Sequence, residues 1–274
     1  MTDNPRLSLR LHFDSGLTFG RGKAAWLVEH RILMGDTARA EVWSALAKLM
    51  GETWTHSSGC QLSLARLALD TGYATQEAYA FVRSVRDARL MPIKGIAGGA
   101  ALIGTPTAVD ATASGKKLRR GIKVFPVAGG IAKLEFYNNL RKSADVGEDG
   151  STPVFPAGFV HLPKIDAEFI QQLCAEQLIT RRDRNGFPVR EWQKMRERNE
   201  ALDCYVYPRA AASAAGLDRF EERHWRELEK QLGLAPPPDP INHEAEPEAT
   251  QRGGLAVSDN RRPTRRLVRS RWLT

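Results

Sequence analysis

Asp70 stands where an apolar stretch of the sequence stops. The run from Leu62 to Leu69 is interrupted only by Ser63 and Arg66, a pattern typical of a strand covered on both faces. A carboxylate that ends such a strand is costly to desolvate unless a cation or hydrogen-bond donors compensate it, and α/β proteins bind ligands at the carboxyl ends of parallel strands. Asp70 is therefore a candidate catalytic or metal-binding residue. The alternative is that it only accepts hydrogen bonds from the following turn.

Asp203 is the second candidate, in a segment that turns apolar around it. If this segment is helical, Asn199 and Glu200 precede Asp203 by four and three residues and share its side of the helix. Oxygen ligands on one helical face suit a hard divalent cation. The alternative is an ordinary exposed face, neutralised by Arg196 and Arg198.

Lys94 ends the strand that follows the helix after Asp70. Neighbouring parallel strands would bring its ammonium to the same sheet edge as Asp70, where it could contact a phosphate or pair with the acid. An ordinary surface lysine is the alternative.

The elements that position these residues predict an α/β fold. A strand ending at Asp70, a helix from Thr75 to Arg86 and a strand from Leu90 to Lys94 make a βαβ unit, so part of the sheet should be parallel. The other predicted strands are residues 6–13, 24–33 and 122–127, and a hairpin of 179–182 with 189–192 across the Asn185-Gly186 turn. The other predicted helices are residues 36–50, 131–141, 165–177, 198–215 and 217–232.

The charge is concentrated at one end of the 274-residue chain. The net charge is +8, and removing the six arginines of the last fourteen residues leaves +2. We predict one domain over residues 1–234 and a disordered Pro/Arg-rich tail over 235–274. Basic tails commonly bind nucleic acid or an acidic protein surface. A solvated end without a partner is the alternative.

Several classes of protein are not supported by the sequence. No run of about 18 apolar residues predicts a membrane span, and the first residues lack the pattern of a secretory signal, so we expect a cytoplasmic protein. Three distant cysteines predict neither a disulfide framework nor a cysteine-type zinc site. Residues 114–117 do not complete a P-loop.

Six motifs in one order resemble the nuclease region of lambda-type phage terminase large subunits, over roughly residues 2–215. The Arg-Asn-Glu-Ala-Leu-Asp string of residues 198–203 is the most specific; the motifs are residues 69–73, 76–79, 92–95, 158–163, 172–177 and 198–204. The resemblance implies an RNase H-like mixed β-sheet flanked by helices and an endonuclease that cuts concatemeric viral DNA in the host cytoplasm. It also implies Asp70 and Asp203 as carboxylates that bind Mg²⁺ or Mn²⁺ in a two-metal site, and Lys94 as an active-site lysine. We add Glu200 as a candidate ligand.

The chain departs from this family in two ways. It has no ATPase motor, and Met1 falls about where the family's first catalytic aspartate would be, with Asp3 two residues out of register. Three interpretations stay open: a nuclease half served by a separate motor polypeptide, an inactive prophage remnant without the first strand, or substitution by Asp3 as a metal ligand. The resemblance implies double-stranded DNA, the terminase small subunit and the portal protein as partners. A non-catalytic packaging or DNA-binding protein is the alternative from another functional class.

Overall fold

The structure is a computed structural model that describes residues 10–13, 17–109 and 121–234. The described residues belong to one compact unit, Met1–Pro236. Asp3 and the Pro/Arg-rich tail 235–274 lie outside the described residues, so the predictions made for them stay predictions.

The described residues form mixed α and β structure, which agrees with the predicted α/β class. The strands are β1 (Arg10–Phe13), β2 (Leu17–Phe19), β3 (Ala25–Leu27), β4 (Arg31–Met34), β5 (Thr53–Thr55), β6 (Gln61–Ser63), β7 (Leu67–Asp70), β8 (Leu90–Ile96), β9 (Thr107–Ala108), β10 (Lys123–Ala128), β11 (Asp145–Val146), β12 (Pro153–Val154), β13 (Val160–His161), β14 (Glu176–Arg182) and β15 (Pro188–Lys194). The helices are α1 (Ala40–Leu49), α2 (Thr75–Val85), α3 (Gly129–Asn139), α4 (Ala167–Leu173), α5 (Glu200–Ala214) and α6 (Glu222–Gln231), with short 3₁₀ turns at Arg21–Lys23 and Leu217–Arg219.

A four-stranded mixed sheet in the order β7-β8-β10-β9 positions the candidate residues. Strands β7, β8 and β10 are parallel, and β9 is antiparallel to β10. Helix α2 makes the crossover from β7 to β8, so the predicted βαβ unit is confirmed. The register sets Asp70 opposite Ile93 and Lys94 opposite Pro126. These parallel strands therefore bring Asp70 and Lys94 to neighbouring positions of the sheet, as the sequence predicted, but Lys94 does not end its strand, because β8 continues to Ile96.

The apolar run before Asp70 is two strands rather than one. Strand β6 pairs with β5, and β7 pairs with β8 at the edge of the four-stranded sheet. The prediction of one strand covered on both faces is wrong, because residues 62–69 contribute to two strands in different sheets. Ala65 and Arg66, which lie between these two strands, are exposed. Residues 24–33 likewise divide into β3, which pairs with β2 and β13, and β4, which is antiparallel to β1.

Three helices also differ from their predicted bounds. Helix α1 begins at Ala40, because Asp36 accepts a hydrogen bond from the backbone of Ala38 and makes a turn there. Helix α4 ends at Leu173, and Glu176 already belongs to β14. The predicted helix 217–232 is interrupted before Glu222, where α6 begins with a capping box. The predicted hairpin is confirmed and is longer than expected, with β14 and β15 paired from Glu176–Lys194 to Arg182–Pro188.

Helix α5 packs on the sheet that carries Asp70. Val206 and Ala210, one turn apart, join Met91 and Ile93 of β8 and Val127 of β10 in one buried cluster. Residues three and four apart share a helical face, so this packing fixes how the preceding turn of α5, with Asp203, faces the sheet. Within the described part of the chain, no helix has both the length and the apolar character needed to cross a membrane.

Candidate functional site

Asp70 is the last residue of β7, and its carboxylate has contacts on both oxygens. The backbone N–H of Gly72 donates to Oδ1 at 2.9 Å, and the hydroxyl of Tyr207 lies 3.3 Å from Oδ2. Thr71, which is fully buried, binds the Ile93 carbonyl through both its backbone N–H and its hydroxyl, and thereby fixes where β7 ends. Asp70 therefore does cap the following turn, as the structural alternative proposed. The same carboxylate also reaches across to α5.

Asp203 lies in the first turn of α5, behind the sheet edge. Burial raises the pKa of its carboxyl to about 6; the positive charge of Lys133 opposes this rise, and the negative charges of Glu176 and Asp70 add to it. Asp70 is thus near enough for its negative charge to raise the pKa of Asp203. The two acids come from a strand and a helix that are distant in the sequence, and they meet at one end of the sheet.

Tyr207 stands one turn after Asp203 and completes this contact. Its hydroxyl is the group that reaches Asp70, 137 residues away in the sequence. A Cβ placed on Gly95 of β8 would lie 3.4 Å from the Tyr207 hydroxyl oxygen, so the phenol lies against the strand beside Lys94. Burial and the charges of Asp203 and Asp70 raise the pKa of Tyr207 far above its ordinary value. The phenol therefore keeps its proton and acts as a hydrogen-bond donor.

A second set of polar groups borders Asp203 on the other side. Glu176, 7% exposed, accepts hydrogen bonds from Lys133 on both oxygens at 2.7 Å and from the Asn199 side-chain amide at 2.9 Å. Lys194 stands opposite Glu176 in the hairpin register, and its positive charge lowers the pKa of Asp203. The beginning of α5 is thus held to the base of the hairpin by a buried and fully bonded glutamate.

The other predicted site residues among the described ones are Lys94, Asn199 and Glu200. Lys94 is exposed at the sheet edge, one residue beyond the partner of Asp70. Asn199 precedes the helix as its N-cap, so it does not share a helical face with Asp203 as predicted. Glu200 begins α5, and one of its oxygens lies 3.5 Å from the Arg198 guanidinium. That oxygen is buried and accepts no hydrogen bond from a described residue.

The described donor set of the site is small for a divalent cation. Within residues 10–13, 17–109 and 121–234, no group of three or more acidic, histidine or cysteine side chains is close enough to hold a metal ion. Mg²⁺ often takes only one or two carboxylates in proteins and keeps several waters. Asp70 and Asp203, whose charges interact and one of which has a raised pKa, are chemically suited to such a cation, whereas Glu200 does not form a group with them.

The β14–β15 hairpin extends from this site and carries a row of arginines. In an antiparallel pair, alternate residues share a face, so Glu176, Lys194, Leu178 and Trp192 lie on the face that continues outward to Arg190. Trp192 stacks on Tyr137, and a Cβ on Gly130 would lie 3.0 Å from its indole nitrogen, which fixes this face against α3. Arg190 is exposed about 14 Å beyond Lys194 along the strand, at roughly 3.4 Å per residue.

Sequence reasoning missed four residues at this site: Tyr207, Glu176, Lys133 and Lys194. The spacing of Tyr207, four residues after Asp203, was readable from the sequence and indicates a shared helical face. Glu176 stands inside one of the motifs that carry the resemblance, but the segment was predicted as a helix and its side chain could not be placed. Lys133 and Lys194 had no local signal, because only the tertiary fold brings them to Asp203.

Comparison with known proteins gives one family and two relatives. The model of the family described as "Terminase large subunit gpA, endonuclease domain" matches residues 15–225. The chain is 29% identical over 199 residues to the terminase large subunit of Escherichia phage lambda, covering 70% of this chain and 29% of that protein. It is 28% identical over 193 residues to the terminase large subunit of Enterobacteria phage P21, covering 69% of this chain and 28% of that protein. The chain thus spans less than a third of the length of these relatives. No solved structure matches.

Proposed function

The chain belongs to the endonuclease-domain family of the terminase large subunit gpA, and from this premise we propose that it is a metal-dependent endonuclease that cuts concatemeric viral DNA during genome packaging. The observation that carries the proposal is that Asp70 and Asp203 lie near each other at one end of the sheet, where burial and, to a smaller extent, the negative charges of Glu176 and Asp70 raise the pKa of Asp203. A carboxyl group with a raised pKa is typical of active sites, and α/β proteins bind ligands at the carboxyl ends of parallel strands.

Asp70 and Asp203 would hold Mg²⁺ or Mn²⁺, with Asp3 as a further ligand, whereas Glu200 forms an ion pair with Arg198. When bound, two such ions activate a water and stabilise the leaving oxygen of a phosphodiester. The chain's own groups have separate tasks. The Gly72 N–H fixes one oxygen of Asp70, the Lys133–Glu176 pair holds the start of α5, and the exposed ammonium of Lys94 would bind a phosphate oxygen of the substrate strand. The RNase H-like class is our proposal for the fold.

The arginines of the hairpin support DNA as the substrate. Arg190 lies on the hairpin face that begins at Glu176 and Lys194, beside Asp203, and no described carboxylate forms an ion pair with it. A duplex bound at the site would place backbone phosphates along this face, where arginine binds them without reading sequence. Partners proposed from the family are the terminase small subunit, the portal protein and an ATPase motor on a separate polypeptide, with the host cytoplasm as the place of action.

The test is nicking of supercoiled plasmid DNA by the full chain with Mg²⁺ or Mn²⁺, and with EDTA. We expect nicking only with metal, and its loss in Asp70→Asn and Asp203→Asn. Asp145→Asn is the matched control, because Asp145 is an exposed carboxylate on the separate β11–β12 pair. Metal-independent nicking, or nicking that survives in both site variants, would contradict the proposal.

A non-catalytic DNA-binding role is the second candidate, and one contact favours it. Asp70 already has a structural task, because it accepts the Gly72 N–H at the end of β7. In this case DNA affinity would not change with added metal or with Asp203→Asn. It would still fall when Arg182 and Arg190 are changed to alanine. Nicking and metal binding separate the two candidates, whereas DNA affinity does not.

A further inference from the structure

Tyr207 hydrogen-bonds one of the two candidate metal-binding carboxylates and stands one helical turn after the other. It lies on α5 one turn beyond Asp203, so both side chains project from the same helical face. Its hydroxyl lies 3.3 Å from Oδ2 of Asp70. Since the Gly72 N–H already holds Oδ1, the orientation of the Asp70 carboxylate is set by one donor on each oxygen.

The position of the Tyr207 hydroxyl is itself constrained. The phenol lies beside strand β8, where a Cβ on Gly95 would be in van der Waals contact with its hydroxyl. The preceding residue of α5, Val206, is 1% exposed and anchors the helix in the buried cluster on the sheet. A donor fixed by packing at this point can hold Asp70 in one rotamer, whereas a mobile surface tyrosine could not.

We propose that Tyr207 is a positioning residue that aims the Asp70 carboxylate at the metal position it shares with Asp203. This inference rests on the proposed function. Each carboxylate oxygen has two lone pairs, so a hydrogen bond from Tyr207 leaves Oδ2 able to bind a cation. Hydrogen-bond partners of metal ligands hold them in the ligating orientation, and losing such a partner typically weakens metal affinity 10- to 100-fold.

Tyr205 provides a matched control on the same helix. It is 3% exposed, and its ring packs against Phe136 at 4.1 Å and Phe19 at 6.3 Å, away from the acids. Tyr207→Phe and Tyr205→Phe remove the same hydroxyl group from positions two residues apart, which point to different sides of α5. A general effect of losing a tyrosine hydroxyl from this helix would appear in both variants.

The experiment is calorimetric titration of Mn²⁺ into the full chain, with thermal melting in EDTA to compare folding. We expect Tyr207→Phe to raise the Kd for Mn²⁺ at least about tenfold while Tyr205→Phe leaves it unchanged. In nicking assays, Tyr207→Phe should raise the half-saturating metal concentration by the same factor and approach the wild-type rate at saturating metal. Equal Kd values in wild type and Tyr207→Phe would overturn the inference.

A double-mutant cycle tests whether Tyr207 acts through Asp70. In an Asp70→Asn background, Tyr207→Phe should change the residual Mn²⁺ affinity less than twofold, because the carboxylate it orients is gone. A tenfold effect in that background would contradict the positioning role even if Tyr207→Phe alone weakens binding. Absence of Mn²⁺ binding by the well-folded wild type would refute the proposed function itself, so the two failures are distinguishable.

Discussion

Helix α5 carries charges of opposite sign in its two halves, and the buried arginine and the partly buried aspartate differ in their hydrogen-bond partners. Arg209, 2% exposed, donates hydrogen bonds to Glu135 at 2.8 Å and to Asp218 at 2.6 Å. Asp203, six residues earlier, makes no side-chain hydrogen bond or ion pair with a described residue. The nearby Lys133 is bound to Glu176 on both of that residue's oxygens.

The difference separates a structural charge from a candidate functional one. A buried ion with its partners in place is consistent with the fold and ties together the elements that supply those partners; here these are α3, α5 and the turn before α6. A buried carboxylate without a partner is unfavourable for folding, and such groups concentrate at functional sites. The comparison therefore predicts opposite consequences for removing the two charges.

The largest effect on stability is expected from Arg209→Ala. It leaves Glu135 and Asp218 without their shared partner, and breaking a buried ion pair in this way costs about 3–5 kcal/mol of unfolding free energy. Urea unfolding measures the change. Arg181→Ala is the control, because the Arg181–Glu191 pair at 2.9 Å is exposed and is worth about 0–1 kcal/mol. Equal losses in the two variants would mean that Arg209 does not hold these elements together.

Asp203→Asn is expected to act in the opposite direction. Since burial raises the pKa of Asp203 to about 6, ionisation of this group in the folded state costs stability that builds up as pH rises through about 4 to 6. The neutral amide avoids this cost. We expect Asp203→Asn to gain about 1–2 kcal/mol at pH 7 at about 1.4 kcal/mol per pKa unit, reduced for solvent screening, and to lose metal-dependent nicking.

Unfolding at pH 7 and pH 4 in EDTA checks this prediction. The difference between Asp203→Asn and wild type should shrink to well under about 1 kcal/mol at pH 4, where Asp203 is protonated in the folded chain and about half protonated in the unfolded chain. An asparagine variant that is less stable than wild type at pH 7 would show that Asp203 has a structural partner after all. The comparison between the two halves of α5 would then fail.

Asp218, a partner of Arg209, should lose its contribution in acid. Burial alone would raise the pKa of Asp218, but hydrogen bonds from Arg209, Ser213 and Lys23 outweigh burial and hold the pKa well below its ordinary value. A carboxyl with a lowered pKa stabilises the fold above about pH 4 and ceases to do so as pH falls further. We expect Asp218→Asn to lose about 1 kcal/mol at pH 7, discounted for its partial exposure, and clearly less at pH 2. A loss as large at pH 2 as at pH 7 would contradict this.

Local sequence patterns identified the site residues whose positions follow from their neighbours in the chain. Asp70 was found because an apolar run stops at it, and α5 was found within two residues of its true start from its spacing. The break between β6 and β7 was missed, because apolar residues look alike whether they serve one sheet or two. Glu176 was placed in a helix, since the short α4 and the start of β14 are both rich in residues that favour helices.

The neutralisation of Arg209 could not be predicted, because it depends on long-range packing. Glu135 is 74 residues away in the sequence, and nothing near Arg209 distinguishes it from an exposed arginine. The same holds for the effect of Lys133 on Asp203. Sequence therefore indicated which residues carry charge, and the tertiary structure decides which of those charges are compensated.

Arg21→Gln has the smallest expected effect on the unfolding free energy, and it tests directly whether burial determines the effect of removing an arginine. Like Arg209, Arg21 binds two carboxylates, Glu222 and Glu229 of α6, and its guanidinium lies 6.0 Å from the Trp225 ring centre. Its side chain is 41% exposed, however, and no described residue of α6 is buried. We expect Arg21→Gln to lower the unfolding free energy by less than about 1 kcal/mol, and 1 M NaCl to remove the difference. If Arg21→Gln lowers the unfolding free energy as much as Arg209→Ala does, the number of carboxylate partners, and not burial, determines how much each arginine stabilises the fold. Burial would then not explain the contrast between Arg209 and Asp203.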